Sequence, residues 1–301
     1  MKILYIAKHT PCDNEDEIAI AYALEQLGHE VLRIQEFNGH NALAHRADFC
    51  LFHKYDNYEV IEAVSKRVPT ICWFFDKVKF DEPKLAARSE LRVNWMEQIT
   101  KFCHTIFCTD GDWVDQDESG KLCWLMQGAD ERYVGFGEPN QQVAPILFTG
   151  TPRHGQQRED HIAHLQERWG DRFQVLGAGG NKSRKHGREL ANIIASSKII
   201  IAPDGPSTDR YWSNRVYLIS GFGGLLLHPH CSNLRHHYSS KEVLMYADRD
   251  HLDDMIEIFL DMDNSKLQEI RVNAYERTLK DNLYRHRCEQ LVNTFKERSK
   301  W

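Results

Sequence analysis

The chain has 301 residues, with 38 Lys+Arg against 44 Asp+Glu, a formal net charge of −6, and 42% hydrophobic residues including 14 Phe, 11 Tyr and 7 Trp. That apolar content excludes a disordered chain, and the length exceeds one comfortable core, so two domains of roughly 150 residues are expected. The longest apolar runs, such as 199–203 and 225–227, are too short to span a bilayer.

The elements follow in chain order. Met1 leads directly into Lys2–Ala7, a strand rather than a signal peptide. Asp16–Leu27 has a helical spacing of Ile18, Ala21, Tyr22 and Leu24 that ends at Gly28. Strands are expected at Glu30–Ile34 and Asp48–His53, a helix at Tyr58–Val64, and a strand at Pro69–Phe75. A long helix at Arg88–Phe102 precedes strands at Thr105–Cys108 and Leu122–Met126. This order requires right-handed parallel crossovers, hence a doubly wound sheet.

Gly135–Ala144 is polar and reads as a linker. The pattern then restarts with strand Pro145–Gly150, a helix near Asp160–Trp169, strand Phe173–Leu176, helix Gly187–Ser196 and strand Lys198–Ala202. Helix Ser213–Ser220, strand Leu225–His228 and helices His251–Leu260, Lys266–Lys280 and Tyr284–Arg298 complete the chain. The expected class is α/β, with two doubly wound, Rossmann-like domains facing a cleft. The boundaries are an N-terminal domain over 1–137, a linker over 138–144, a C-terminal domain over 145–282, and a terminal helix over 283–301 that returns toward the first domain.

Charge is uneven along the chain. Residues 1–142 carry 15 basic and 24 acidic side chains, whereas 151–188 carry 8 basic and 4 acidic. The second half is therefore the better host for a phosphate-bearing ligand, and a nonspecific grip on nucleic acid by the first half is not expected. The eight cysteines form no CxxC pair and several lie in apolar runs, which suits reduced core thiols in a cytoplasmic protein.

Candidate chemistry clusters at strand ends. Gly150, Arg153 and Arg158 lie where a parallel strand hands over to a helix, a place where helix N-termini and forked guanidinium donors favour anions. The alternative is an ordinary turn with solvated arginines. Gly177 and Gly179 form a second such turn, followed by Lys182, Arg184 and Lys185. There is no GxxxxGK[ST], so a P-loop is not supported, and Lys8-His9-Thr10-Pro11-Cys12 after the first strand is no dinucleotide fingerprint. Asp76, closing Trp73-Phe74-Phe75-Asp76, either serves an acceptor or catalysis beside aromatic rings, or caps the following turn. His228, His230, Cys231, His236 and His237 match no defensible zinc spacing and read as loop residues after a buried strand.

The run Tyr211-Trp212-Ser213-Asn214-Arg215, leading through Gly221-Phe222-Gly223-Gly224 into Leu225-Leu226-Leu227, is more specific. Together with Tyr246-Ala247-Asp248-Arg249-Asp250-His251-Leu252 and the Tyr284-Arg285-His286-Arg287 helix, it resembles the donor domain of GT-B glycosyltransferases. The resemblance is to the CgeB-like and family 4-like groups, with spore-maturation and phage-encoded members. It implies a transferase that moves a sugar from a nucleotide-sugar, a UDP-sugar first, to an acceptor hydroxyl, with retention and with no cofactor or metal. By the resemblance, Gly150, Arg153 and Arg158 meet the diphosphate, Gly177 and Gly179 lie near the base, and Ser213, Asn214 and Arg215 sit over the sugar and phosphates. Asp76 is the catalytic candidate on the acceptor side, with His9 and Trp73 beside it. Leu218 occupies a position where many members carry a ribose-binding Glu. The acceptor is open; a hydroxylated DNA base would have to leave its stack. A non-catalytic nucleotide-sugar-binding or partner-binding protein is the rival reading.

Overall fold

The computed structural model of the chain describes residues 1–9, 16–177, 185–202 and 208–298. It falls into two compact units, one of residues 1–81, 85–131 and 284–301, the other of residues 82–84 and 132–283.

The first unit is built on a six-stranded parallel sheet. Its strands are β1 (Lys2–Ala7), β2 (Glu30–Gln35), β3 (Phe49–Phe52), β4 (Thr70–Phe74), β5 (Thr105–Cys108) and β6 (Leu122–Trp124), in the order β2-β1-β3-β4-β5-β6. Pleating sorts β1 onto two faces. Ile3, Tyr5 and Ala7 join the core under helix α1 (Asp16–Gln26) and helix α10 (Tyr284–Arg298), while Leu4 and Ile6 join the core under α2 (Tyr58–Ser65) and α3 (Ala86–Phe102). With both faces covered, the inner strands β3, β4 and β5 are buried along their whole length and largely apolar rather than alternating, whereas the edge strand β2 keeps Glu30, Arg33 and Gln35. A short α4 (Gly111–Val114) and a 3-10 stretch at Glu36–Ala44 complete the unit. The terminal helix α10 returns to this unit: Cys288, Leu291, Val292 and Phe295 enter the same core as Trp73, and the Tyr284 hydroxyl donates to Asp16 at 2.7 Å.

The second unit carries a five-stranded parallel sheet of β7 (Ile146–Thr149), β8 (Phe173–Leu176), β9 (Ile199–Ile201), β10 (Leu226–Pro229) and β11 (Leu244–Tyr246), in the order β11-β10-β9-β7-β8. Ile146, Phe148, Ile199, Ile201, Leu225 and Leu227 pack against α5 (Gln156–Trp169) and α8 (Arg249–Asp261). Helices α6 (Gly187–Ser196), α7 (Arg215–Gly221) and α9 (Asn264–Asp281) complete it. In both sheets the strand order reverses at one place, between β1 and β3 and between β7 and β9. Ligands of open parallel sheets bind outside the carboxyl ends of the strands at such a reversal, so the residues that follow these strands define where to look. No helix among the described residues is long and apolar enough to cross a membrane.

Candidate functional site

In the second unit, several of the sequence candidates converge past the end of β7. Phe148 is buried there, and two guanidinium groups lie over its ring, Arg215 at 5.4 Å and Arg158 at 6.0 Å from the centroid. Arg215 Nε donates to the Thr149 carbonyl at 2.8 Å and Nη1 to Ser213 Oγ at 3.2 Å, which fixes the plane of its fork. Arg158, in the first turn of α5 and only 5% exposed, donates to the Thr151 carbonyl at 3.2 Å. Gly150 has φ +136°, and a Cβ there would lie 2.8 Å from Arg215 Nη2, so glycine is what lets the guanidinium lie against the strand end. Gly177, with φ +100° at the end of β8, abuts Gly150 in turn: a Cβ would lie 2.9 Å from the Gly150 carbonyl oxygen. Ser213 and Asn214 lead into α7. Arg153 is exposed on the same loop.

The start of α5 already holds a carboxylate. Glu82 is counted with this unit, and its Oε2 accepts the Gln156 backbone N–H at 2.7 Å. A Cβ on Gly155, φ +93°, would meet that oxygen at 2.7 Å. This is the anion preference expected of a helix N-terminus.

In the first unit, the residues that follow β1 and β3 carry imidazoles. His9 donates from Nε2 to the Tyr5 carbonyl at 3.0 Å, and burial above all lowers its pKa. His53 donates from Nδ1 to the Trp73 carbonyl at 2.7 Å, and its ring lies 4.0 Å from that of Phe75. Burial above all lowers its pKa too, against upward pulls from Asp76 and Asp16. Its Nε2 faces Glu17 Oε1 at 3.7 Å. Asp16 beside it accepts from Tyr284 and from Gln127 Nε2, the latter at 2.9 Å. Asp76 pairs with Arg92 at 2.8 Å and with Lys54 at 3.1 Å. Burial pushes its carboxyl upward, but Arg92, Lys54 and His53 outweigh it and hold the pKa below the usual carboxylate range. Lys77 turns the other way, to the buried Asp110 at 3.7 Å and to Asp112 at 3.3 Å.

Residues 153–293 match the family model described as glycosyl transferase-like. Over its whole length the chain is similar in structure to a sucrose-phosphate synthase from Thermosynechococcus elongatus, with a TM-score of 0.67 and 10% identity over 99% of this chain and 98% of that one. It is similar to Anabaena HepE in complex with UDP-glucose, with a TM-score of 0.62 and 12% identity over 99% and 100%. A glycosyltransferase from Rickettsia africae gives a TM-score of 0.61 and 10% identity over 99% and 98%. The chain has the GT-B fold of these glycosyltransferases, and its residues 153–293 match the glycosyl transferase-like family. No curated protein matches it in sequence.

Within this GT-B chain the candidates separate. Gly150, Arg158, Gly177, Ser213 and Arg215 come together, with Asn214 at the start of α7 and Arg153 exposed on the loop. Gly179 lies outside the described residues. Trp73 is corrected: it is 1% exposed, packs edge-on against Phe75 and Tyr284, and donates to the Leu125 carbonyl, so it fills the core and offers no face to an acceptor. Pleating explains this, because the side chain points under α10 while its own carbonyl orients His53. Leu218 is half-buried on α7. His228 is buried with Nδ1 bonded to the Pro229 carbonyl at 2.7 Å, and no three His, Cys, Asp or Glu among the described residues are grouped to hold a metal. Sequence reasoning did not single out His53, whose imidazole follows β3, or Glu82, whose carboxylate sits at the start of α5. His53 was the final residue of the expected third strand, and strand-end position was the available clue.

Proposed function

We propose that the protein transfers a sugar from a UDP-sugar to an acceptor hydroxyl, and that its C-terminal unit holds the donor diphosphate past the ends of β7 and β8. The observation that carries this reading is the convergence of Arg158 and Arg215 on Phe148 beside Gly150 and Gly177. Two guanidinium groups with fixed planes, next to a backbone that lacks side chains, suit a diphosphate approached closely and held by forked donors. The same cations would stabilise the diphosphate as it leaves with the bonding electron pair, which is work a metal ion does elsewhere. Transfer is therefore proposed to proceed without a metal and without a cofactor. The crystallised complex of the Anabaena neighbour with UDP-glucose supports the choice of donor. Retention is proposed on the shared fold with a trehalose-6-phosphate synthase analysed for glycosyl transfer with retention, which has a TM-score of 0.62 and 11% identity. On the acceptor side, Asp76 is proposed to act as a fixed anion. It restrains Lys54, whose φ is +37°, and through it the adjoining His53.

The test is calorimetry with UDP and with uridine. UDP is expected to bind at least about tenfold more tightly, and Arg215→Ala to bring UDP down toward uridine. Equal affinities would remove the diphosphate site from this unit. Chelator is expected to leave UDP binding unchanged. Leu218, at the position of a ribose-binding Glu, favours a second reading in which the protein binds a nucleotide-sugar without turnover. Steady release of UDP from UDP-glucose decides against it.

A further inference from the structure

We propose that His237 is a positioning residue for the donor site: through Tyr217 and Trp212 it fixes where α7 begins, and so where the Arg215 guanidinium points. The proposal rests on the UDP-donor reading for its effect on binding, and every group in it belongs to the second unit.

Helix α7 has only seven residues, too few to be stable alone, and its N-cap residue Asn214 makes no side-chain cap hydrogen bond. Yet the donor candidates Ser213 and Arg215 stand at this end. Ser213 Oγ accepts the Arg215 backbone N–H at 3.3 Å and the Arg215 Nη1 at 3.2 Å. What holds this end in place is therefore tertiary. Trp212, buried next to Ser213, donates from Nε1 to the Tyr217 hydroxyl at 3.0 Å, a clamp from just outside the helix to its third residue. The clamp ends on His237, whose Nδ1 lies 3.2 Å from the same hydroxyl oxygen and whose ring meets that of Trp212 edge-on at 5.2 Å.

Proton positions give the clamp its direction. The His237 carbonyl can only accept, and it takes Arg277 Nε at 2.8 Å and Asn282 Nδ2 at 3.3 Å. That turns the Asn282 amide oxygen toward the imidazole, 3.1 Å from Nδ1. An amide oxygen has no proton to give, so His237 Nδ1 carries one and shares it between Asn282 and the Tyr217 oxygen. The phenol oxygen thus stands between two N–H groups, Trp212 Nε1 and His237 Nδ1, and both set its place. The holding side is rigid. Asn282 is buried, its backbone N–H closes the last turn of α9 on the Thr278 carbonyl at 2.9 Å, and Arg277 is paired with Asp281 at 2.7 Å. Tyr238, next to His237, is buried and bonds Thr278 at 2.8 Å. The end of α9 therefore holds His237, His237 and Trp212 hold Tyr217 between them, and Trp212 places Ser213, on which the Arg215 fork closes. Arg215 Nε is fixed separately on the Thr149 carbonyl, so a shift of Ser213 turns the guanidinium over Phe148.

The experiment uses the full chain. UDP and uridine affinities are read by calorimetry, and the Arg215 Nε–H resonance by nitrogen-15 NMR, assigned from its absence in Arg215→Ala. Tyr217→Phe removes only the shared oxygen, His237→Leu removes the donor, and His237→Asn keeps an amide N–H near the place of Nδ1. Tyr217→Phe and His237→Leu are each expected to shift the Nε–H resonance and to weaken UDP by roughly fivefold, the loss of one hydrogen bond, with uridine unchanged. His237→Asn is expected to recover most of that loss. In an Arg153→Ala background the Tyr217→Phe loss should persist; in an Arg215→Ala background it should vanish, because the group it acts through is already gone. A residue that only held the fold would lower the melting temperature without this pattern. An Nε–H resonance unmoved in both Tyr217→Phe and His237→Leu overturns the proposal, as does a loss of uridine affinity equal to that of UDP. A wild type that binds UDP no better than uridine counts against the donor reading instead, because the resonance reports on Arg215 without any nucleotide.

Discussion

Arg153 and Arg158 are both arginines on the stretch after β7, yet they differ in what their side chains do. Arg158 is 5% exposed, lies over Phe148 and donates to Thr151, so it holds the loop as well as facing the site. Arg158→Ala is expected to cost about 2–3 kcal/mol of unfolding free energy, because a buried charged donor and its packing are lost together. Arg153 is exposed, and Arg153→Ala should leave stability within about 0.5 kcal/mol while reducing UDP affinity. Urea unfolding beside calorimetry separates the two. An Arg158→Ala protein as stable as wild type would show that the buried guanidinium contributes nothing to the fold. Sequence alone could name these residues but not their division of labour. It treated Gly150 as room for a phosphate, whereas the space beside that glycine is first filled by Arg215, a residue far along the chain. Trp73 likewise looked available beside Asp76, and only the face of β4 on which it lies decides that it is core.

Strands and long helices were legible because burial on both faces writes them as apolar runs, and helices as spaced ones. β1, β5, β8, α6 and α10 have the expected limits, and most others shift by one or two residues. The misses have local causes. β11 is three residues long and carries no period of its own. The 3-10 stretch at Glu36–Ala44 contains a non-helical Asn38, which breaks any spacing. α5 starts at Gln156 rather than near Asp160, because Gly155 and the distant Glu82 carboxylate set its first turn. This helix also carries an acid-sensitive point. Burial, then Arg249 and His164, press the His161 imidazole down from 6.5 to about 4, and its Nε2 is buried without a partner among the described residues. Above pH 6.5 the group is neutral folded and unfolded, and contributes no pH dependence. As pH falls from 6.5 to about 4, the unfolded chain gains a proton that the folded one refuses, so stability declines across that window. The slope approaches about 1.4 kcal/mol per pH unit and the total about 3 kcal/mol at most. His161→Leu should flatten the fall in melting temperature between pH 6.5 and 4. An unchanged acid profile in that variant would mean the imidazole titrates normally.

At the scale of the whole molecule, the chain leaves the first unit, builds the second, and comes back to finish the first. The Tyr284–Arg298 helix was legible from its spacing, but its destination follows from which core lacks a cover. Ile3, Tyr5 and Ala7 on β1 and Trp73 on β4 face α1 and α10, and α10 supplies Tyr284, Cys288, Leu291, Val292 and Phe295 to that core. Burying one large apolar side chain is worth about 1.5–3 kcal/mol, so these contacts together rival the roughly 5–15 kcal/mol that holds an ordinary domain folded. A chain ending at Leu283 is therefore expected to lose the first unit while keeping the second, whose core around Ile146, Phe148 and Leu227 includes no α10 residue among the described residues. Hydrogen exchange reads this directly: peptides from 1–131 should exchange at unfolded rates, and those from 145–177 and 244–281 should stay protected. Because truncation could harm the protein in other ways, Leu291→Ala is the graded version. It leaves the chain whole, and it should cost about 2–5 kcal/mol and raise exchange in β1 and β4 before any element of the second unit. Protection of 1–131 in the truncated chain would show that α10 is an accessory to the first unit, and that the β1/β3 region is held by α1 without it.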